Sequence, residues 1–236
     1  MNTNYTLGSF HKYLGWITFL AVTVSMFFIF IIAPPDVRLG IVQKIFYFHV
    51  GTAWIAFFAF FIVFIVSILF LMTRNRNYDV IAMASAEIGV LFTTIVLITG
   101  PIWGKSSWNA WWTWEPRLTT TLILWFMYIA YIMIRVSDME WEKKARLSSV
   151  FGIIGFINVP IVFMSIRWWN TELHPVVFGE GADQTGGGIS DTMLLTLIIT
   201  VITFMILYFY LLKKGIAIGH ARYKLDDIKD KIKNVM

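Results

Sequence analysis

The chain has 236 residues, of which 58% are hydrophobic and only 14% charged, with a formal net charge of +5. A mean hydropathy of +0.72 lies outside the range of ordinary water-soluble domains. The absence of cysteine excludes disulfides, thiolate metal sites and dithiol redox chemistry.

Six apolar segments follow one another along the chain, at 14–32, 45–72, 80–102, 118–134, 147–166 and 193–212. Each reaches across a hydrocarbon core of about 30 Å at about 1.5 Å per residue, the shorter ones with help from flanking interfacial residues. Without water to bond them, the backbone groups of such runs are satisfied within helices. The alternating pattern of a membrane β-barrel is absent. The predicted fold is an all-α integral membrane protein, one polytopic domain over 1–236 with six transmembrane helices in a single bundle. The first run is too long for a signal-peptide core, and Ile31-Ile32-Ala33-Pro34 offers no small-residue cleavage site. It reads as a retained span.

Basic residues set the expected orientation. One set of connections holds Lys12, Arg74, Arg76, Arg135, Lys143, Lys144 and Arg146, with seven more in the tail 213–236, fourteen in all. The opposite set holds five: Arg38, Lys44, Lys105, Arg117 and Arg167. The positive-inside rule places both termini in the cytoplasm. It leaves the tryptophan-rich loop between spans three and four, and the loop 167–191, facing outward. The positive charge follows this topology and predicts no nucleic-acid partner. In the tail, Leu225, Ile228 and Ile232 recur at helical spacing between lysines. They read as a solvated helix held near anionic membrane lipid, with docking to a cytoplasmic partner as the alternative.

The stretch WGKSSWNAWWTWEPRLT (103–119) places Trp103, Trp108, Trp111, Trp112 and Trp114 within twelve residues. Indole rings gather at membrane interfaces because they are apolar with one polar N–H. An interfacial belt, however, spreads over many helix ends, whereas these five sit in one loop. Trp108, Trp111 and Trp112 are spaced to line one face of a short interfacial helix, and Pro116 suits the first turn of the span that follows. The density favours a binding platform.

Four histidines are present. His11 and His220 read as structural or solvated. His49, in IFYFHVGTAW, sits about one turn inside the outer end of span two. His174, in RWWNTELHP, lies in the loop 167–191. A lone histidine in a span is more often a packing residue than a ligand, yet these two lie at similar depth beside the tryptophan loop. A broad aromatic surface, two imidazoles, and Lys105, Arg117 and Arg167 nearby together suit haem. Its macrocycle is flat and apolar, its propionates are anionic, and its iron accepts histidine. A quinone or a lipid leaves the histidines without a purpose.

Glu87 is the one acid within a predicted span, and it is expected to face the bundle interior, with Thr93, Thr94 and Thr99 helping to satisfy the helix around it. GPIWGKS falls one residue short of a phosphate-binding loop. No ATPase, metalloprotease, EF-hand or serine-elbow signature is present. The residues leave two other readings open: a permease-like transmembrane subunit of a haem or small-molecule transporter, and a b-type membrane electron-transfer protein.

The 103–119 stretch resembles the tryptophan-rich motif of the WWD-domain superfamily, the haem-handling proteins of cytochrome c maturation. Its Arg-Leu-Thr ending, the six spans and the chain length are most similar to the haem exporter protein C branch (CcmC). HVGTAW around His49 and RWWNTELHP around His174 belong to the same resemblance. The resemblance implies haem b as cofactor and His49 and His174 as axial ligands of its iron. It implies a haem platform running from Trp103 to Arg117, including Glu115, where the family usually has Asp. It further implies residence in the cell inner membrane with the haem site facing outward, and delivery of haem to the membrane-anchored chaperone CcmE. The implied companions are the ABC-type complex CcmA/CcmB and the small subunit CcmD. The role is one of handling and transfer, with no catalytic residue assigned. Glu172 reads as an insertion before His174, and the acidic loop of Glu172, Glu180, Asp183 and Asp191 as the chaperone's docking surface.

Overall fold

A computed structural model describes residues 9–36, 39–169, 174 and 189–233. Among them are six helices long and apolar enough to cross a membrane. They are α1 (Ser9–Phe27, continued by a π-helical turn Phe28–Ile32), α2 (Ile45–Thr73), α3 (Arg76–Trp108), α4 (Pro116–Val136), α5 (Trp141–Trp168) and α6 (Asp191–Lys233). The side chain of His11, the acids Glu172, Glu180 and Asp183, and the glycines at 186–188 lie outside the described residues.

Local chemistry sets the corners. Arg74 takes the left-handed conformation at φ 55° and closes α2, and the Asn75 side chain then caps α3 by accepting the Asn77 N–H at 2.9 Å. Pro116 opens α4, where its missing N–H is no loss. Helices α2, α3, α4 and α5 pack side by side into a closed ring, α6 lies in the groove of α2 and α3, and α1 packs on α6.

The ring is filled by aromatic and small side chains. Phe60 stacks on Tyr128 with centroids 3.7 Å apart. A Cβ on Gly89 would come within 2.4 Å of the Phe60 ring, so α2 and α3 reach this separation only with glycine there. Polar side chains bond the helices together. The Trp125 indole N–H donates to Thr94 at 2.8 Å, Asn158 donates to the Thr120 carbonyl at 2.8 Å, and Ser85 bridges the Ala59 carbonyl and Tyr208. Such bonds are favoured where the alternative is an unpaired group in hydrocarbon.

Three features depart from the sequence expectation. The third helix does not stop before the tryptophans: α3 runs through Pro101 to Trp108, and Asn109 ends it at φ 57°. Trp111 and Trp112 therefore follow in non-helical chain, and no short interfacial helix joins them to Trp108. Second, the tail is no separate helix. It prolongs the last span, so that α6 counts 43 residues, about 65 Å at 1.5 Å per residue.

The third concerns charge. Glu87 does not face the bundle interior: its side chain is 42% exposed and pairs with Arg222 at 3.7 Å. The prolonged α6 runs beside α3 and supplies this cation, which hydropathy could not foresee. The buried acid is Asp79, at the end of the bundle remote from the tryptophans. Arg135 donates to it from both terminal nitrogens, one at 2.8 Å, and the pair is 1% and 7% exposed. Tyr223 of α6 and the Trp141 indole join the same carboxyl group, and Arg76 lies over both rings. Four helices, α3 to α6, are tied at this one point.

Candidate functional site

At the tryptophan end the helix ring encloses a cavity of about 390 Å³, within the range of small-molecule and cofactor sites. Each ring helix contributes part of its wall: His49, Ala53, Trp54 and Phe57 from α2; Val96, Gly100 and Trp103 from α3; Arg117 and Thr121 from α4; Val162, Phe163 and Arg167 from α5. Trp108, Trp112 and His174 complete the lining. The two histidines singled out in the sequence thus share one cavity.

His49 stands on the first turns of α2, directly after the short 3-10 turn Ile41–Lys44. Its Nδ1 lies 3.0 Å from the Thr99 hydroxyl on α3. His174 is reached differently, from the connection between α5 and α6. Its ring packs edge-on against Trp108 with centroids 4.9 Å apart, and Trp108 in turn meets Trp103 at 5.3 Å and 89°. The Glu115 carboxyl group contacts Nδ1 of His174, the two side chains being 9% and 17% exposed. Burial holds the His174 imidazole below its usual pKa, with Arg117 acting in the same sense and Glu115 opposing both. The shift favours the uncharged ring, in which one nitrogen keeps a lone pair.

The five tryptophans divide. Trp103, Trp108 and Trp112 line the cavity. Trp111 and Trp114 are 60% and 75% exposed and turn away from it, although Trp114 rests edge-on against Trp112 at 5.7 Å. Among the basic residues, Arg117 and Arg167 reach the cavity, whereas Lys105 caps the end of α3 by donating to Asn109. Glu115 is no wall residue and touches the site through His174. His220 lies on α6, in the prolonged tail. Trp54 and Phe163, in contact at 5.8 Å across α2 and α5, were not read as site residues. The sequence signal for Trp54 was its place in HVGTAW, five residues beyond His49.

The wall can be tested against a porphyrin. Its lining is mostly apolar, as a macrocycle requires. The indole N–H groups of Trp103 and Trp112 are buried with no hydrogen-bond acceptor among the described residues, and a ligand carrying acceptor oxygens would satisfy them. Arg117 and Arg167 bring positive charge to the same wall. Among the described residues no three His, Asp or Glu side chains converge. Two imidazoles on one cavity wall suit a metal that brings its remaining ligands with it. The residues fit the group.

The family model for Heme exporter protein C (CcmC) matches residues 2–224. The chain belongs to the CcmC family. Among its relatives, a putative cytochrome c biosynthesis ccmC-like mitochondrial protein of Marchantia polymorpha is 34% identical over 192 residues, covering 81% of this chain and 78% of the relative. Heme exporter protein C of Escherichia coli K12 is 32% identical over 167 residues, 71% of this chain and 68% of that protein. The Haemophilus influenzae protein of the same name is 29% identical over 229 residues, or 96% and 88%. The CcmC match thus takes in the first five helices, both cavity histidines and α6 to about the middle of the helical tail.

Proposed function

We propose that the chain handles haem for cytochrome c biogenesis, binding haem b in the cavity at the tryptophan end. His49 and His174 hold the iron from opposite sides, Trp103, Trp108 and Trp112 pack on the macrocycle or its edge, and Arg117 and Arg167 pair with the propionates. Glu115 orients His174. The observation that carries this reading is the convergence of His49, His174, four tryptophans and two arginines on one cavity built by four helices. The printed names of the CcmC relatives support it.

The bound haem supplies a flat, redox-active iron complex. The protein's own residues do the rest. His49 and His174 would hold the haem iron, the indoles would keep water from it, and Arg117 and Arg167 would pair with the haem carboxylates. With the basic tail in the cytoplasm, the tryptophan end faces outward from the inner membrane. Haem is there presented to the membrane-anchored chaperone CcmE, beside an ABC-type complex of CcmA and CcmB with the small subunit CcmD.

The test is reconstitution of the purified protein with haem, read by absorption and EPR. A stoichiometric low-spin ferric signal is expected, and a preparation that takes up no haem would end the proposal. The tryptophans discriminate further. Trp103→Phe and Trp112→Phe each remove a buried N–H donor and are expected to weaken haem binding roughly 10-fold. Trp111→Phe and Trp114→Phe should bind as the wild type does. Equal tolerance at all four positions would favour an interfacial belt.

A further inference from the structure

The imidazole of His49 has a partner whose chemistry decides which of its nitrogens is free. Thr99 owns a single hydroxyl proton. Its oxygen lies 2.8 Å from the Ile95 carbonyl and 3.4 Å from the Val96 carbonyl on its own helix. These acceptors take the proton, so the oxygen offers only lone pairs to Nδ1 of His49 at 3.0 Å. Nδ1 must therefore be the donor, and Nε2 is left unprotonated. A neutral histidine with no partner favours the opposite tautomer, with the proton on Nε2 and no lone pair there for a metal.

The next residue along α3 supplies the other half of the arrangement. A Cβ on Gly100 would lie 3.2 Å from Cε1 of His49 and 3.9 Å from Nδ1. The Cε1 edge of the ring comes this close to α3 because the position carries no side chain.

We infer that Thr99 and Gly100 are positioning residues for His49, the hydroxyl selecting the Nδ1–H tautomer and the glycine fixing the ring plane, so that Nε2 is offered to the cavity. The inference rests on the haem reading for its purpose, while the tautomer itself stands on the Thr99 geometry alone. The same logic operates at His174, whose Nδ1 meets the Glu115 carboxyl group. The two imidazoles are thus backed unequally, one by a neutral hydroxyl and one by an acid. Partners of this kind typically alter metal affinity by about 10–100-fold.

The first measurement needs no haem. Two-bond 15N–1H correlation spectra of histidine-labelled, haem-free protein in detergent report the tautomer of each ring, and His49→Ala assigns the signal. The wild type is expected to show His49 protonated at Nδ1. Thr99→Val, of nearly the same shape, should move the proton to Nε2, and Thr99→Ser should restore it. In haem titrations Thr99→Val is expected to bind about 10–100-fold more weakly, with Thr99→Ser near the wild type. Gly100→Ala should keep the tautomer but shift the g values of the low-spin signal, because the ring plane turns.

A wild-type His49 protonated at Nε2 overturns the inference, and this outcome is decisive even if the valine variant proves unstable. A Thr99→Val protein that keeps both tautomer and affinity overturns it as well. A wild type that shows the Thr99-dependent tautomer but takes up no haem defeats the haem reading and leaves the tautomer assignment supported.

Discussion

His49→Ala and His174→Ala are each expected to abolish the low-spin ferric signal of the reconstituted protein and to weaken haem binding by more than about 100-fold. The magnitude follows from a comparison. Losing a group that merely supports a metal ligand costs about 10–100-fold, and losing the ligand removes the bond itself. Either variant leaves the iron with one imidazole, so a high-spin spectrum should replace the low-spin one. The vacated space is the size of the missing ring, and added imidazole should restore the low-spin signal in both variants. Their side effects should differ. His174→Ala strands the buried Glu115 carboxyl group, whereas His49→Ala strands only a hydroxyl that already bonds its own helix. The loop variant should therefore also lose some thermal stability. A spectrum unchanged in either variant would remove that residue from the iron.

The second large effect is at the opposite end of the bundle. Asp79→Ala leaves Arg135 buried against Tyr131, Ser148 and Tyr223 with no anion, and breaking a buried pair in this way costs about 3–5 kcal/mol. Thermal unfolding in detergent should show a drop of several degrees or more. The exposed pair Arg76–Asp227, with side chains 47% and 56% exposed, is the internal control, and Asp227→Ala should shift the transition little. A double variant, Asp79→Leu with Arg135→Met, is expected to be more stable than Asp79→Ala, because it removes both charges rather than one. If Asp79→Ala melts with the wild type, the four-helix tie at this point contributes nothing to stability.

Much of the fold was legible because its signal is continuous. Runs of apolar residues announce helices in a membrane without any need of partners, and all six appear where hydropathy places them. Pro116 at the first turn of α4 and His49 near the end of α2 follow from spacing alone. The failures share a different cause. Glu87 lies within an apolar run and Asp79 just before one, yet the surface acid is Glu87 and the buried one is Asp79. What decides is the course of α6, which brings Arg222 to the first, and the packing of α4, which brings Arg135 to the second.

The site was legible in part for the same reason. The cluster of tryptophans marked the region, but which indoles turn inward depends on α3 continuing through Pro101. The apolar run stops at Ile102, whereas the helix persists to Trp108. Thr99 suggested only a residue that helps to satisfy the helix around Glu87, with no link to His49. A threonine in a span ordinarily returns its proton to its own backbone, and this one does so while also meeting the ring of His49.

The length of α3 has a consequence for where a guest molecule would reside. Asp79 and Trp108 are 29 residues apart on this helix, about 44 Å at 1.5 Å per residue, which equals the full thickness of a bilayer with its headgroups. Gly100 lies eight residues back from Trp108, about 12 Å down the helix. On a helix that spans a bilayer upright, the α3 wall of the cavity, from Thr93 to Trp108, would run from the depth of the acyl chains to that of the headgroups. An amphiphile with one greasy and one acidic edge finds both neighbourhoods at the matching height.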